Sequence, residues 1–394
     1  MNLCWITFGD VSEKSVRVIS IKNRIKYFPE SCNISIISPK LIEDSELKSY
    51  ITKNIVIDER IYGANFKSLA MPFRMINILK KISKEIGNFD MIITDTIYVP
   101  FYKYFSKKKV PLLLLVHGIE SEEALSKNLI KKSFIYKAIR ITEKKAYEKC
   151  DKIVVVAENI KEYLINEYYI TPTKISVIPN AVDPDLFNPN SSKRTIRQKY
   201  NLNGDPVIIF VGSFKPWQGL ENIILAFKFV LKEVPNVKLL LVGDGPSKAK
   251  IERMAEAFSQ NVIFVGQQPQ EKIQSYIAVA DICVYFPNYN VRKYSFLGDP
   301  IKFYEYMAME KPVVTTKIKN FAHVLERENC GVLVEPDHKK FADAVVDLIN
   351  NPEKARKLGI NGRKAILENY NWEKSAGMLI NTYGDIAEAT KKGS

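Results

Sequence analysis

The 394-residue sequence predicts two doubly wound α/β domains in tandem. Three observations predict this fold class. Short apolar runs alternate with longer amphipathic segments from one end of the chain to the other. The runs are continuous and do not alternate in polarity, as expected of parallel strands covered on both faces. Near the middle, NAVDPDLFNPNSS (180–192) is rich in Asn, Asp, Pro and Ser and reads as a joint.

In the first half the strand-like runs are LCWITFG (3–9), NISIIS (33–38), NIVID (54–58), MIITD (91–95), LLLLVH (112–117), KIVVVA (152–157) and ISVIPN (175–180). In the second they are VIIFVG (207–212), KLLLVG (238–243), NVIFVG (261–266), ICVYF (282–286), PVVTT (312–316) and GVLVE (331–335). Helical stretches lie between them. Across residues 70–86, Met75, Ile78, Leu79, Ile82 and Ile86 fall on one stripe. Ligands of such sheets bind at the carboxyl ends of the strands, so two facing domains create a cleft.

Composition narrows the class. The apolar fraction is ordinary and no tract is of low complexity. The run VPLLLLV (110–116) is too short to span a bilayer. The start, MNLCWITFGD, has no basic segment before its first strand pattern, so no signal peptide is expected and the chain reads as cytoplasmic. Cys4, Cys32, Cys150, Cys283 and Cys330 are far apart and read as buried free thiols. Three widely spaced histidines argue against a metal site. The net charge is +14, and residues 1–188 and 189–394 each hold 29 Lys/Arg against 22 Asp/Glu. So global an excess suits polyanionic ligands or an anionic membrane surface.

The stretch Tyr294 to Thr316 carries the strongest local signal. Asp299 reads as a helix N-cap and Pro300 as the first helical residue. Gly298 would let the backbone approach a ligand. Lys302 falls in the first turn, where it reinforces the positive helix end, which makes sense if an anion binds. Glu305 lies one turn further along the same face. The competing reading is a helix with Lys302 and Glu305 as a surface ion pair. Several strand exits carry glycine: Gly9, Gly212, Gly243, Gly245 and Gly266. Gly243-Asp244-Gly245-Pro246 lacks the third glycine of a dinucleotide fingerprint, so NAD is not expected. Asp183-Pro184-Asp185 reads as a turn in the joint, not as a metal motif.

With these elements placed, the sequence resembles the retaining glycosyltransferases of family 4. The pieces are VIPNAVDPDLFNP, FVGSFKPWQGLENIILAF, LLLVGDGP, NVIFVGQQPQEKIQSYIAVADICV, DPIKFYEYMAMEKPVVTT and NCGVLVEP, in that order and spacing. The resemblance implies the GT-B fold, two facing Rossmann-like domains with parallel sheets and a cleft between them. The expected N-terminal, acceptor-binding domain is 1–186, joined by a helix over 372–394 that crosses back. The expected donor-binding domain is 187–371.

The resemblance also implies roles. Glu305 matches the second glutamate of the family's E-x7-E motif, which holds the ribose of a nucleotide-sugar, while Leu297 stands where the first would be. The segment is closer to the sub-pattern SPxKxxEYMA, with Pro300 and Lys302 matching and Asp299 in place of the serine. Gly298, Pro300 and Ile301 form the mouth. At the strand-exit loop after Gly212, Ser213 replaces the usual arginine and Gln218 the usual lysine or histidine, which leaves Lys215 as the substitute cation. Gly266 lines the same side. His117 matches the family's histidine facing the transferred sugar, and Gly9 matches the glycine of the first loop. Lys302, Lys215 and the helix mouth would stabilise the leaving diphosphate without a metal, so no cofactor is expected. The reaction implied is sugar transfer from a UDP- or GDP-sugar to a glycan or lipid-linked acceptor in polysaccharide or glycolipid synthesis.

On the acceptor side, Lys127, Lys131, Lys132, Lys137, Arg140, Lys144 and Lys145 stud one helical segment among Leu129, Ile130, Phe134 and Tyr136. Phe101–Phe105 with Lys107, Lys108 and Lys109 forms a second aromatic-basic patch. These are either solvated helix faces or a surface that docks on anionic lipid. Three further classes stay open: a GT-B sugar-nucleotide epimerase, a silent donor-binding subunit, and nucleic-acid binding, for which no recognised module is present.

Overall fold

Strand β1, Asn2–Ile6, explains why the apolar runs are unbroken. Cys4 and Ile6 join one buried cluster with Ile92, Leu114 and Val155, while Leu3 and Trp5 join another with Ile36, Ile93 and Leu115. Successive strand side chains point to opposite faces. A strand covered on both sides has no solvent face to spend on polar residues. The computed structural model describes residues 1–8, 16–57, 71–108, 110–126, 134–202, 204–288, 298–317 and 322–392.

All thirteen runs form strands. The first sheet holds β1, β2 (Asn33–Ser38), β3 (Lys53–Val56), β4 (Met91–Thr94), β5 (Leu112–Val116), β6 (Lys152–Val155) and β7 (Ile175–Val177) in the order β3-β2-β1-β4-β5-β6-β7. The second holds β8 (Val207–Val211), β9 (Lys238–Val242), β10 (Val262–Gly266), β11 (Ile282–Tyr285), β12 (Val313–Thr316) and β13 (Gly331–Val334) in the order β10-β9-β8-β11-β12-β13. Every pairing is parallel. The direction of winding reverses between β1 and β4 in the first sheet and between β8 and β11 in the second. The carboxyl ends of those strands are where ligands of such sheets bind.

The chain divides into two units, Met1–Asn180 with Leu297–Asp299 and Trp372–Ser394, and Ala181–Phe296 with Pro300–Asn371. The first crossing therefore falls after Asn180, earlier than the boundary expected at 186. Residues beyond it belong to the second unit because Val182 N–H donates to the Tyr370 carbonyl at 3.1 Å and Val182 and Phe187 enter that unit's core. The helix Trp372–Lys392 packs on the first unit, with Ala376, Leu379 and Ile386 in the cluster that holds Trp5. The amphipathic helix of the first unit runs Met71–Glu85, and Met75, Ile78, Leu79 and Ile82 are buried as their spacing requires. All five cysteines are free, and all but the half-buried Cys32 are buried.

Candidate functional site

The β8 exit and the helix Ile301–Ala308 form the most chemically loaded corner of the second unit. That helix is anchored through its C-terminal half. Tyr306 Oη accepts from Val211 N–H at 2.9 Å, which ties it to the last residue of β8. Arg363 donates to the Ala308 carbonyl at 3.0 Å and to the Pro184 and Phe187 carbonyls at 2.9 Å. A cation on the last carbonyls satisfies the orphan acceptors of the helix end. The neighbouring helix Pro352–Glu368 approaches closely, because a Cβ on Gly359 would collide with the Glu310 carbonyl.

Lys302 is held against the β8 exit. Its Nζ lies 4.3 Å from the centre of the Phe210 ring and 4.9 Å from that of Tyr285, and it donates to Gln218 Oε1 at 2.9 Å. The space it fills exists because residue 212 is glycine: at φ +147°, a Cβ there would stand 2.6 Å from the ammonium nitrogen. Burial lowers the Lys302 pKa to about 7, against the opposing pull of Glu305. Glu305 is 6% exposed, and its Oε1 accepts from Gln270 Nε2 at 2.7 Å. Burial raises its pKa to about 7, while Gln270 and Lys302 pull it down.

Two expectations are corrected at this helix. Asp299 is not the N-cap: Pro300 is, and Asp299 instead accepts from Asn180 N–H through Oδ2 at 2.6 Å. Pro300 is still extended, at φ −72° and ψ 114°, so the helix starts one residue later than expected and Asp299 stands before the cap. The surface ion pair is also overturned, since Glu305 is buried and both charged groups bond to neutral amides, Gln218 and Gln270.

The remaining candidates are less concentrated. Ser213 and Gln218 are half-buried on the loop after β8. Lys215 is exposed on the same loop, its ammonium 5.2 Å over the Trp217 ring. Gly266 ends β10 at φ +80° with open space around it. Gly243 backs onto the Gly212 carbonyl, which gives the Gly-Asp-Gly turn a packing role. In the first unit His117 follows β5 and is half-buried, and a Cβ on Gly298 would stand 3.7 Å from its carbonyl oxygen. Gly9 and Leu297 lie outside the described residues. Gln270 was missed by sequence reasoning. Its only signal was its place at the start of the helix Gln270–Val279, just after Gly266 and Pro269. Thr7 and Asp95 were also missed, and they meet in a 3.0 Å hydrogen bond beyond β1 and β4, where the first sheet reverses.

The aromatic-basic segment resolves into the helix Phe134–Lys149, while Lys127, Leu129, Ile130, Lys131 and Lys132 lie outside the described residues. Its inner side is pinned by polar contacts. Glu143 accepts from Ser121 N–H at 2.9 Å and bonds Tyr168, and Arg140 donates to Tyr163 Oη at 3.0 Å. Its outer side leaves Phe134 85% exposed, with Ile135 and Ile141 also exposed among Lys137, Lys144 and Lys145. Tyr169 is 80% exposed, with the Lys144 ammonium 5.6 Å over its ring. In the second patch, the Lys149 ammonium sits 3.9 Å over the exposed Tyr104.

Comparison with known proteins identifies the chain. Residues 192–365 match the family described as Glycosyl transferases group 1, and residues 20–186 match Glycosyltransferase Family 4. The chain belongs to the family 4 glycosyltransferases. Among its relatives, this glycosyltransferase is 27% identical over 216 residues to the GDP-mannose-dependent alpha-(1-6)-phosphatidylinositol monomannoside mannosyltransferase of Mycolicibacterium smegmatis. That match covers 54% of the chain and 56% of the relative, so the chain spans little more than half of that protein's length. It is 26% identical to the capsular polysaccharide biosynthesis glycosyltransferase CapM of Staphylococcus aureus, over 64% of the chain and 67% of the relative. In fold, the glycosyltransferase resembles Anabaena HepE in complex with UDP, with a TM-score of 0.76 at 16% identity over 98% of this chain and all of the other. The two parallel-sheet domains are those of the GT-B fold.

Proposed function

We propose that this glycosyltransferase moves a sugar, with retention of configuration, from a UDP- or GDP-sugar to a hydroxyl of a glycan or lipid-linked acceptor. The product belongs to cell-surface polysaccharide or glycolipid synthesis. The observation that carries the reading is Lys302: a desolvated ammonium at a strand exit, held by aromatic faces and one neutral amide, with a buried carboxylate one turn away. The relatives support the donor class, since one is named as GDP-mannose-dependent and a fold neighbour holds UDP.

In this reading Glu305 accepts from the ribose hydroxyls and Lys302 meets the diphosphate, exchanging Gln218 for a phosphate oxygen. Lys215 swings from Trp217 to supply a second cation. Gly212, Ser213, Gln218, Gly266, Gly298, Pro300 and Ile301 give the backbone and small side chains that let the donor approach, together with Gly9. His117 faces the transferred sugar. Breaking the sugar–diphosphate bond builds negative charge on the leaving oxygen, and preorganised cations stabilise it without a metal. The departing phosphate takes the acceptor's proton on the same face.

The first unit binds the acceptor, and the exposed face of the helix Phe134–Lys149 docks on the anionic inner face of the membrane. Apolar side chains flanked by lysines suit that interface, each nearby cation adding about 1 kcal/mol.

The test is to supply UDP- and GDP-sugars with EDTA present and a hydroxyl acceptor, then read nucleotide release and the anomeric configuration of the product by NMR. Free nucleoside diphosphate and a retained anomer are expected. Activity that returns only with Mg²⁺ or Mn²⁺, or an inverted product, overturns the mechanism.

A further inference from the structure

Arg24, on the helix Val16–Lys26, is 0% exposed. Burying a guanidinium is costly unless hydrogen bonds and charge compensate it, and an apolar residue of similar volume would often serve stability as well or better. Its partners show what the arginine does that an apolar residue would not. Nε donates to Ser375 Oγ at 3.0 Å, Nη1 bonds Ser20 Oγ, and Nη2 reaches the Pro179 carbonyl at 3.4 Å. The guanidinium carbon lies 5.4 Å from the centre of the Trp372 ring. Burial lowers its pKa to about 10, and the opposing charge is that of Asp299.

These partners are not scattered along the chain. Pro179 and Asn180 are the last residues before the chain first leaves this unit, and Trp372 is the first after its final return. Asp299 is the last residue before the chain leaves again, at Pro300. Asn180 holds Asp299 twice, its N–H donating to Oδ2 at 2.6 Å and its Nδ2 to the Asp299 carbonyl at 2.8 Å. Pro300 is the N-cap of the helix that carries Lys302 and Glu305.

We propose that Arg24 is a positioning residue for that helix: by holding the Pro179 carbonyl beside Asn180, which in turn holds Asp299, it sets where the chain enters Pro300. The inference rests on the donor-site reading for its catalytic consequence, but not for its structural one. A buried planar fork that satisfies a hydroxyl, a carbonyl and an aromatic face together fixes geometry, which a lysine cannot reproduce.

Hydrogen exchange reads the positioning without any donor. In Arg24→Met, peptides covering 299–308 should exchange at least tenfold faster than in the wild type, while peptides covering 352–368 stay unchanged. Arg24→Lys should recover only part of the protection. Asp299→Ala should raise exchange over the same 299–308 segment, and the double variant should be no faster than the faster single one. Kinetically, both single variants should lose at least tenfold in kcat, with nucleoside diphosphate Kd shifted less than threefold. Unchanged exchange at 299–308 in Arg24→Met overturns the inference. So does unchanged exchange in Asp299→Ala, which decides the matter if the arginine variant does not fold. Failure of the wild type to bind UDP or GDP overturns the donor-site reading alone.

Discussion

The Lys302 ammonium stands 4.3 Å from the centre of the Phe210 ring, in the space left by the missing side chain of Gly212. An aromatic face attracts a cation, but more weakly than the water it replaces. The side chain is therefore poised with its charge only partly compensated, and an arriving phosphate would complete it.

Lys302→Ala should lower kcat by on the order of 10²–10³, the usual cost of removing one preorganised group that faces developing charge. KM for the donor should change less, because the charge on the leaving diphosphate grows as the bond breaks. Steady-state kinetics across donor concentrations check this, and a near-normal kcat would return Lys302 to a packing role.

The same lysine makes a prediction about stability. Its pKa is lowered from 10.5 to about 7, so between those values the folded protein binds fewer protons than the unfolded chain. Stability from this group therefore rises with pH across that window, and the full penalty is present below about pH 7. Lys302→Met should melt higher than wild type at pH 6.5, with the difference shrinking towards pH 10. A melting series that shows a constant difference would contradict the burial argument.

Glu305 titrates in the opposite sense. With its pKa raised to about 7, the folded protein holds a proton that the unfolded chain releases between 4.5 and 7, so its contribution to stability falls over that range. Ribose hydroxyls donating to the carboxylate would favour its charged form. Nucleotide binding to Lys302→Met at pH 6.5 should therefore release protons, read by calorimetry in buffers of different ionisation enthalpy. Glu305→Ala should weaken nucleotide binding at least tenfold, since each charge-assisted bond is worth roughly 1.5–3 kcal/mol.

Replacing Phe134 and Ile141 together by glutamate removes exposed apolar groups and reverses the local charge without touching the core. The double variant should lose most binding to vesicles rich in anionic lipid, yet keep its melting temperature and its turnover on a soluble acceptor. Cosedimentation at two salt concentrations tests this, and equal binding of variant and wild type would remove the docking proposal.

The strands were legible because covering both faces of a parallel sheet leaves no choice of residue, as β1 and β5 illustrate. The helix carrying Lys302 and Glu305 was legible from its turn chemistry, but its first residue was not. The extended backbone of Pro300 decides the cap, and the hold of Asn180 on Asp299, far from it in sequence, is a contact that no local pattern announces. Gln270 was invisible for a related reason, since an amide on a helix start looks like any solvated residue until the carboxylate it meets is known. Arg24 was one of 58 Lys/Arg residues, and only burial sets it apart.

The contact of Gly359 with the Glu310 carbonyl and the grip of Arg363 on Ala308 leave the far end of the Ile301–Ala308 helix no room to slide or roll. With Asp299 held by Asn180 at the near end as well, neither end of the helix is free to move. In the donor-site reading the loop after β8, with Ser213 and Lys215, is then the part that can vary without unpacking the helix. A library restricted to those two positions should yield altered donors at little cost to folding, whereas one spread along the helix should mostly yield protein that fails to accumulate.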